Sequence, residues 1–338
     1  MKLIIDKILN YELIHYASDD LFIASKGNKV TYNNKVIEIP EDISFIEKIF
    51  KHFRKGRRLL RLDKITVYPS GNNVIIVRRG KVFHYDTITG KIDEVLTIAC
   101  RNPMFLGITD TEAGNIFMGE YGNPSNEGKR IFKSTDGGLT WECVYNFSMK
   151  EMRHIHCVSW DPYQKKIWVF TGDANGECKI MFTDESFMSI EYIGDGGQKY
   201  RTCHALFSEN YVDWIMDSPL ETVKHIRYNR KTGKISEGYS FSGPVWFAKR
   251  LQNGISVAAS NQEKGPSHKD KYLHLYATDD MNKWEELKIF NHDGWPKGYF
   301  RFGTICFSRG MMKDNSFYMF FEGVKGLDGK SALCRIVD

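Results

Sequence analysis

The chain has 338 residues, of which 42% are hydrophobic and 14% aromatic, and this composition suits one large all-β domain or two domains of average size. Its 47 Lys and Arg residues nearly balance 42 Asp and Glu residues, so the net charge of +5 is too mild and too spread out to predict nucleic-acid binding. The small excess of positive charge instead favours anionic partners.

The cysteines and the N-terminal segment predict the cellular compartment. None of the seven cysteines belongs to a Cys-x-x-Cys pair and most lie in strand-like runs, so we expect buried, reduced thiols rather than disulfides. Lys2, Asp6 and Lys7 place charge where a signal peptide needs an apolar core. No apolar run is long enough for a transmembrane helix. These features predict a cytoplasmic protein without a transmembrane segment.

In chain order, the first elements are short strands followed by one amphipathic helix. The strands predicted before Pro40 are Leu3–Leu9, Glu12–Tyr16, Leu21–Ala24, Lys29–Tyr32 and Lys35–Ile39. A helix is predicted over residues 43–55, with Ile43, Ile46, Ile49, Phe50 and Phe53 on one face, and it leads into a basic run that ends at Arg58. We favour an insertion that packs on the rest of the domain. The alternative is a peripheral contact of Ile43–Arg58 with an anionic membrane surface.

From Arg61 to the end the chain alternates strands and turns without a linker, so we expect residues 1–338 to form a single domain. The clearest unit contains the strands His154–Trp160, Lys166–Phe170, Cys178–Phe182 and Ser189–Ile193, with a turn at Asp184 before the last. Turns recur 45 to 53 residues apart at Asn33, Asp86, Asp136, Asp184, Asn229, Asp279 and Asp328. Two of these segments, at Asp136 and Asp86, match later ones at an offset of 143 residues. This period predicts a seven-bladed β-propeller of four-stranded blades, with six blades as the alternative.

The turn at Asp136 carries the most specific motif in the chain. It reads Ser134-Thr135-Asp136-Gly137-Gly138-Leu139-Thr140-Trp141, and Asp followed by two glycines predicts a hairpin. The pattern Ser-x-Asp-x-Gly-x-x-Trp resembles the Asp box of sialidase-like, BNR-repeat β-propellers. That resemblance implies an active site at the end of the blades away from the Asp boxes. It does not extend to a sialidase catalytic set, because the chain has no early Arg-Ile-Pro.

Loops at the end away from the turns carry a mixture of residues that is typical of glycan sites: Arg for carboxylates, carboxylates or His for acid–base work, and aromatic rings for stacking. The candidate catalytic residues are His154, His204, Tyr121, Asp173, Glu120 and Asp217. The candidate substrate-binding residues are Arg153, Arg201, Arg301, Arg101, Trp246, Gln262 and Glu263.

These residues are compatible with two reactions on an acidic polysaccharide or oligosaccharide. In glycoside hydrolysis, two carboxylates from Glu120, Asp173, Asp217 and Glu263 would act as a pair. In uronate β-elimination, Arg201 or Arg153 would neutralise the substrate carboxylate, and His154, His204 or Tyr121 would remove the adjacent proton.

Two further possibilities stay open on the sequence alone. One is a non-catalytic propeller that binds a glycan or a protein, with a membrane-peripheral role in polysaccharide assembly as a variant. The other concerns cofactors, of which we expect none. Some propeller lyases bind a divalent metal through His and Gln, so His154, His156, His204 and Gln262 could be ligands in this chain. Their spacing matches no metal-binding signature.

Overall fold

The structure is a computed structural model in which residues 1–122, 129–148 and 151–337 are described. The described residues form seven antiparallel sheets of four strands each, together with three short α-helices. The fold is therefore all-β, with the seven four-stranded blades of a β-propeller, and the prediction of seven blades rather than six is confirmed. The chain divides into two compact units, Met1–Ile65 with Tyr239–Asp338 (the first unit) and Thr66–Gly238 (the second unit).

The second unit contains four of the sheets, and each follows the chain order of its strands. The first two sheets are β6 (Thr66–Ser70), β7 (Asn73–Arg78), β8 (Lys81–Asp86) and β9 (Ile92–Thr97), then β10 (Ile108–Asp110), β11 (Ile116–Gly119), β12 (Lys129–Ser134) and β13 (Glu142–Phe147). The third sheet contains β14 (His154–Asp161), β15 (Lys166–Gly172), β16 (Ile180–Thr183) and β17 (Ile190–Ile193). The fourth sheet contains β18 (Leu206–Phe207), β19 (Tyr211–Ile215), β20 (Lys224–Asn229) and β21 (Ile235–Ser240). The last two residues of β21 belong to the first unit. A short 3-10 helix, Gln198–Tyr200, precedes β18.

The first unit contains the other three sheets and the helices. Two sheets are β2 (Leu13–Ala17), β3 (Phe22–Lys26), β4 (Lys29–Tyr32) and β5 (Lys35–Glu38), and β22 (Val245–Arg250), β23 (Ser256–Ser260), β24 (Leu273–Thr278) and β25 (Glu285–Phe290). The last sheet has the order β1 (Lys2–Leu9), β28 (Ser331–Val337), β27 (Phe317–Glu322) and β26 (Thr304–Phe307). The helices are α1 (Phe45–Phe50), α2 (Arg54–Leu59) and α3 (Lys297–Phe300).

The N-terminal strand completes the last sheet, and this corrects one predicted turn. Strand β1 pairs with β28, so β28 is the third strand of its sheet and β1 is the fourth. Asp328 therefore lies between the second and third strands, not between the third and fourth as the other turns do. Its carboxylate accepts hydrogen bonds from Arg54 (2.8 Å) and from the backbone of Gly323 (2.9 Å).

The motif at Asp136 forms a compact hydrogen-bonded turn between β12 and β13. Asp136 accepts bonds from the Ser134 hydroxyl (2.9 Å) and the Thr140 backbone (2.9 Å), and Trp141 Nε1 donates to the Gly138 carbonyl (3.0 Å). Both glycines adopt positive φ angles, 74° and 94°, and a Cβ on Gly138 would lie 2.0 Å from a methyl carbon of Ile75. Glycine is thus required there by conformation and by space.

The second copy of this motif is shifted by one residue from the predicted alignment. Asp280, not Asp279, accepts hydrogen bonds from the Thr278 hydroxyl (3.1 Å) and from the backbones of Asn282 (2.8 Å) and Lys283 (2.9 Å). Thr278 therefore corresponds to Ser134, because in both copies the hydroxyl residue precedes the Asp by two positions. The match between Asp86 and Asn229 needs no shift, since each side chain accepts from the backbone two and three residues later.

Apolar side chains of adjacent strands form the core of the second unit. Strand β15 is buried from Ile167 to Gly172, and Trp168 and Trp214 have no exposed surface. A strand covered on both faces has no polar side to present, which explains its continuous apolar run. The seven cysteines are all free, and only Cys143 is exposed, as predicted.

The helical segment differs from its prediction in extent. One helix over residues 43–55 was predicted, whereas α1 and α2 are separate six-residue helices. Ser44 and Glu47 form a capping box that begins α1, and a Cβ at Gly56 would lie 2.3 Å from the Phe50 carbonyl oxygen, so only glycine permits the close approach between the helices. The segment packs on the first unit through α2, where Gly56, Arg57 and Arg58 are buried, whereas no residue of α1 is buried. No helix in the described part of the chain has the length and apolar character needed to span a bilayer.

Candidate functional site

The candidate site lies in the second unit, at one end of the last two sheets. Its residues come from four places: the start of β14, the end of β15, the segment before β18 and the segment after β19. Antiparallel pairing puts the start of the first strand and the end of the second at the same end of a sheet, opposite the turn at Asp184. The site is therefore at the end of the blades predicted from the turns.

A single carboxylate, that of Asp173, joins two histidines. Its Oδ2 lies 3.2 Å from His154 Nε2, and its Oδ1 lies 3.0 Å from His156 Nε2. Because a carboxylate only accepts hydrogen bonds, both Nε2 atoms carry a proton, and Nδ1 is the basic nitrogen of each neutral ring. Among the described residues, Nδ1 of His154 and Nδ1 of His156 are buried without a hydrogen-bond partner.

A β-bulge in β14 aims the second histidine at this carboxylate. His154 pairs with Gly172 and Ile155 with Thr171, but the register then shifts so that Cys157 faces Phe170. His156 is the extra residue of the bulge, and bulges often redirect a side chain in this way. Gly172 leaves the space that the ring fills, because a Cβ there would lie 2.6 Å from His156 Cε1.

Arg201 connects Asp173 to a second carboxylate. Its Nη2 lies 3.2 Å from Asp173 Oδ1, and its Nε lies 3.5 Å from Asp217 Oδ2. The Cys203 thiol donates to the same Asp217 oxygen at 3.2 Å. Arg201 and Asp217 are 6% and 2% exposed, so both charges are compensated within the protein.

Neighbouring polar groups fix the loop that carries Asp173. The Gln198 amide donates to the Asp173 carbonyl at 2.9 Å, and the Ser218 hydroxyl donates to Gln198 Oε1 at 2.7 Å. The Cys178 thiol donates to the Ala174 carbonyl at 3.3 Å. Tyr121 stacks on His154 with ring centroids 4.6 Å apart and an angle of 27° between the rings. These contacts hold both members of the His154–Asp173 pair in place.

Burial and neighbouring charges determine the protonation of the cluster. Burial raises the pKa of Asp173, but the hydrogen bonds from His154 and His156 and the charge of Arg201 outweigh it and leave that pKa well below its ordinary value. Burial lowers the pKa of His156 despite the bond to Asp173, and it raises the pKa of the Cys203 thiol. At neutral pH, Asp173 is thus ionised, His156 neutral and Cys203 protonated.

One group near this cluster has the composition of a metal site. Ligand atoms of His156, Cys203 and Asp217 lie within 4.8 Å of one another in the described residues, and imidazole, thiolate and carboxylate all bind zinc. The donor set fits a cation poorly, since the Arg201 guanidinium already lies 3.5 Å from the Asp217 carboxylate. We therefore assign no metal here.

Other predicted site residues of the second unit have structural partners or lie on its surface. Glu120 is fully buried and accepts bonds from the Arg130 guanidinium (2.8 and 2.9 Å) and from the backbone of Ala99 (2.8 Å). His204 is fully buried, and its Nε2 accepts from the Ile215 backbone at 3.3 Å. Arg153 and Arg101 are exposed.

The remaining predicted residues, Arg301, Trp246, Gln262 and Glu263, belong to the first unit. Gln262 and Glu263 line an open depression of about 690 Å³ with Lys264, Lys271, Lys297 and Phe302. Trp246 occupies a bulge in β22 and packs edge-to-face on Phe302, with centroids 5.1 Å apart. Arg301 is exposed, with a φ of 60°.

Several residues of the cluster are absent from the candidates that the sequence predicts. Gln198, Cys203 and Ser218 were not among the candidates, although Cys203 and Ser218 are direct neighbours of predicted ones. Gln198 begins the 3-10 helix and lies three residues before the buried Arg201. This closeness to a candidate Arg was the signal that could have indicated Gln198.

Comparisons with known proteins found structural likeness alone. No protein-family model matches the chain, and no curated protein sequence matches it either. A chain in a crystal structure of a nidogen/laminin complex is 9% identical with a TM-score of 0.47, over 73% of this chain and 84% of that one. A protein assigned as TolB from Agrobacterium tumefaciens is 12% identical with a TM-score of 0.48, over 81% of this chain and 89% of that one.

Proposed function

We propose that this protein is a carbohydrate-active enzyme that cleaves an acidic glycan by β-elimination next to a uronate carboxylate. The observation that carries the proposal is the His154–Asp173 pair. The carboxylate holds the imidazole through Nε2 at 3.2 Å, which leaves Nδ1 as the base. A histidine oriented by a carboxylate is a common arrangement for proton abstraction.

The proposed reaction needs a base, a group that orients it and a cation for the substrate. His154 Nδ1 is buried beside Tyr121 in the free protein, so substrate binding must uncover it. It then removes the proton from the carbon beside the carboxylate, and the electron pair forms a C=C bond and expels the glycosidic oxygen, which takes up a proton from water. Asp173 stabilises the resulting imidazolium, while His156 and Arg201 keep Asp173 ionised. Exposed Arg153, adjacent to His154 in the chain, pairs with the substrate carboxylate.

Elimination fits the carboxylates of the site better than glycoside hydrolysis does. A hydrolase needs one carboxylic acid with a raised pKa to protonate the leaving oxygen. Asp173 has the opposite property, because its pKa is lowered. Asp217 is buried against Arg201 and Cys203, and the Glu120 oxygens are occupied by Arg130 and backbone donors. We therefore give these two carboxylates structural roles.

The Asp-box geometry supports placing the chain with the sialidase-like, BNR-repeat propellers. The bonds among Ser134, Asp136 and Thr140, with the Trp141 indole closing on Gly138, give a mechanical reason for every defined position of that motif. Thr278 and Asp280 repeat the bond between hydroxyl and carboxylate at 3.1 Å, and Trp284 is buried. The motif bears on architecture, whereas the proposed chemistry depends on the His154–Asp173 pair.

The experiment is a screen of polygalacturonate, alginate and hyaluronan, with neutral dextran as the control polymer. Two signals are followed: ultraviolet absorbance from a new C=C bond and release of reducing ends. We expect both signals to rise together on at least one acidic polymer and neither to rise on dextran. Reducing ends without absorbance would establish a hydrolase and contradict the proposal. Binding without either signal would indicate a non-catalytic glycan-binding propeller.

A further inference from the structure

The three helices of the first unit expose an unusual amount of apolar surface. We call this surface the helical face, and its exposed apolar side chains are Phe45, Ile46, Ile49, Phe50, Phe53, Trp295 and Tyr299. Phe45 and Phe53 are 78% and 63% exposed. Within α1, Phe45 with Ile49 and Ile46 with Phe50 are four residues apart and form one stripe. Such a contiguous apolar patch marks an interaction surface.

Contacts through α2 connect the members of the helical face. Helix α2 contacts both α1 and α3. Lys55 places its ammonium group 3.6 Å from the centre of the Trp295 ring. The Arg58 guanidinium donates to the Phe300 carbonyl at 2.8 Å. The aromatic residues around α3 are thus tied to the helix that follows the apolar stripe of α1.

The arginines of the basic run anchor these helices to the first unit. Arg57 pairs with Glu12 at 2.8 Å, and Arg54 pairs with Asp63 at 2.5 Å and with Asp328 at 2.8 Å. Arg58, 1% exposed, pairs with Asp293. The chain is thus fixed to the first unit through α2, whereas α1 has no buried residue.

Lysines give the helical face its charge. Lys48 and Lys55 are exposed on α1 and α2, and Lys297 is exposed on α3. Lys297 also lines the depression that contains Lys264 and Lys271. Two nearby acids are engaged elsewhere, since Glu47 caps α1 at Ser44 and Asp293 pairs with Arg58. Asp42 is exposed beside α1, and Glu263 and Asp270 line the depression together with the lysines. The border of the apolar face therefore carries three exposed lysines, Lys48, Lys55 and Lys297.

We propose that the helical face docks on an anionic lipid bilayer. Its Phe and Ile side chains enter the acyl boundary, Trp295 and Tyr299 lie at the headgroup level, and Lys48, Lys55 and Lys297 face the lipid phosphates. Amphipathic helices with Phe and Trp on one side and Lys at the border bind bilayers in this way. The proposal is independent of the chemistry at His154.

Other occupants fit the charge pattern less well. In a symmetric dimer through the helical face, the lysine border of one copy would meet the same surface of the second. Protein–protein interfaces are also depleted of Lys relative to the rest of a protein surface. An anionic bilayer satisfies the apolar surface and the lysines together.

The test is sedimentation of the full chain with vesicles of phosphatidylcholine alone and of phosphatidylcholine mixed with phosphatidylglycerol. The double variant Phe45→Ser/Phe53→Ser removes two exposed rings and so leaves the fold intact. Ile88→Ser is the matched control, since Ile88 is 76% exposed but lies in the second unit. Lys48→Gln/Lys55→Gln tests the charge.

We expect the wild type to bind the anionic vesicles more tightly than the neutral ones, and the double Phe variant to lose about tenfold or more in affinity. Ile88→Ser should bind like the wild type, and the lysine variant should lose the preference for anionic vesicles. The proposal would be overturned if the double Phe variant bound the anionic vesicles as tightly as the wild type, or if the wild type did not bind them. Size-exclusion chromatography at rising protein concentration, without vesicles, identifies self-association as the competing result.

Discussion

Nε2 of His154 lies 3.2 Å from Oδ2 of Asp173. This contact fixes the tautomer and the plane of the imidazole, and it places a negative charge where a protonated ring would be stabilised. The same carboxylate also accepts from His156 at 3.0 Å and faces Arg201 at 3.2 Å. Asp173 is therefore the residue through which the other members of the cluster act on His154.

Asp173→Asn should impair catalysis more than stability. The amide keeps the shape of the side chain but removes the charge that supports the imidazolium and no longer fixes the His154 tautomer. We expect kcat on the acidic glycan to fall by about 100-fold or more with a smaller change in KM. Steady-state kinetics and urea unfolding measure the two effects.

The control is Asp213→Asn, because Asp213 contacts His225 at 2.7 Å and Arg227 at 2.8 Å within β19 and β20. This variant repeats the same loss of charge in another His–Asp–Arg group. It should affect stability and leave kcat near the wild-type value. Equal kcat for wild type and Asp173→Asn would remove Asp173 from the mechanism.

Substitutions of Tyr121 test whether catalysis depends on its ring or on its hydroxyl group beside His154. The rings are stacked at 4.6 Å, so Tyr121→Phe keeps the contact and Tyr121→Ala removes it. We expect Tyr121→Phe to keep the wild-type rate and Tyr121→Ala to lose about tenfold in kcat, since the imidazole would lose its packing surface. A large loss in Tyr121→Phe would instead assign a proton-transfer role to the hydroxyl.

Gly172→Ala should disturb the cluster through His156. The added Cβ would lie 2.6 Å from His156 Cε1, so the ring must move away from Asp173. We expect a loss of about 1–3 kcal/mol in the free energy of unfolding and a lower kcat. Gly298→Ala is the matched control, because a Cβ there would have no neighbour within 4 Å. Similar stability for both variants would show that the loop around Gly172 yields freely.

Acid stability should depend on His15 in the first unit. This residue is fully buried, and its Nε2 is 2.8 Å from the Ser25 hydroxyl. Burial, with a smaller contribution from the Arg309 charge, lowers the pKa of His15 from 6.5 to about 3. Below pH 6.5, His15 is therefore protonated in the unfolded chain but stays neutral in the folded protein. The free energy of unfolding consequently falls as the pH falls.

The expected contribution of His15 is about 1.4 kcal/mol per pH unit between these two values. It should be fully present above pH 6.5 and lost progressively as the pH approaches 3. Urea unfolding of wild type and His15→Gln at neutral and mildly acidic pH measures it. The variant should show a shallower dependence on pH, although His156 contributes in the same direction in both proteins. Identical slopes would contradict this role.

The blade count could be predicted because each turn has local chemistry. Asp86 and Asn229 accept from backbone groups two and three residues later, so a short sequence window contains the whole interaction. Asp328 was misplaced because its sheet is completed by β1, at the other end of the sequence. The pattern Thr-Asp followed by Trp indicates Asp279, but the Thr278 hydroxyl bonds to Asp280 and so defines the register.

The candidate site could be predicted only in part, because its contacts join side chains that are far apart in the sequence. The proximity of His154, Asp173, Arg201 and Asp217 followed from the blade pattern. The bulge at His156 and the salt bridge that buries Arg201 depend on side chains from separate strands, and alternation along one strand does not reveal them. In the same way, a helical periodicity does not show whether the apolar side of α1 meets a core.

The most direct measurement is the rate of ultraviolet absorbance increase for wild type, His154→Gln and His225→Gln on the acidic polymer that the wild type cleaves. His225→Gln is the matched control, since His225 is a buried histidine paired with Asp213 in the same unit. His154→Gln should lose about 100-fold or more in kcat while unfolding at the same urea concentration as the wild type, because it lacks only the base. His225→Gln should keep a rate within about twofold of the wild type. Wild-type activity in His154→Gln would show that His154 is not the base.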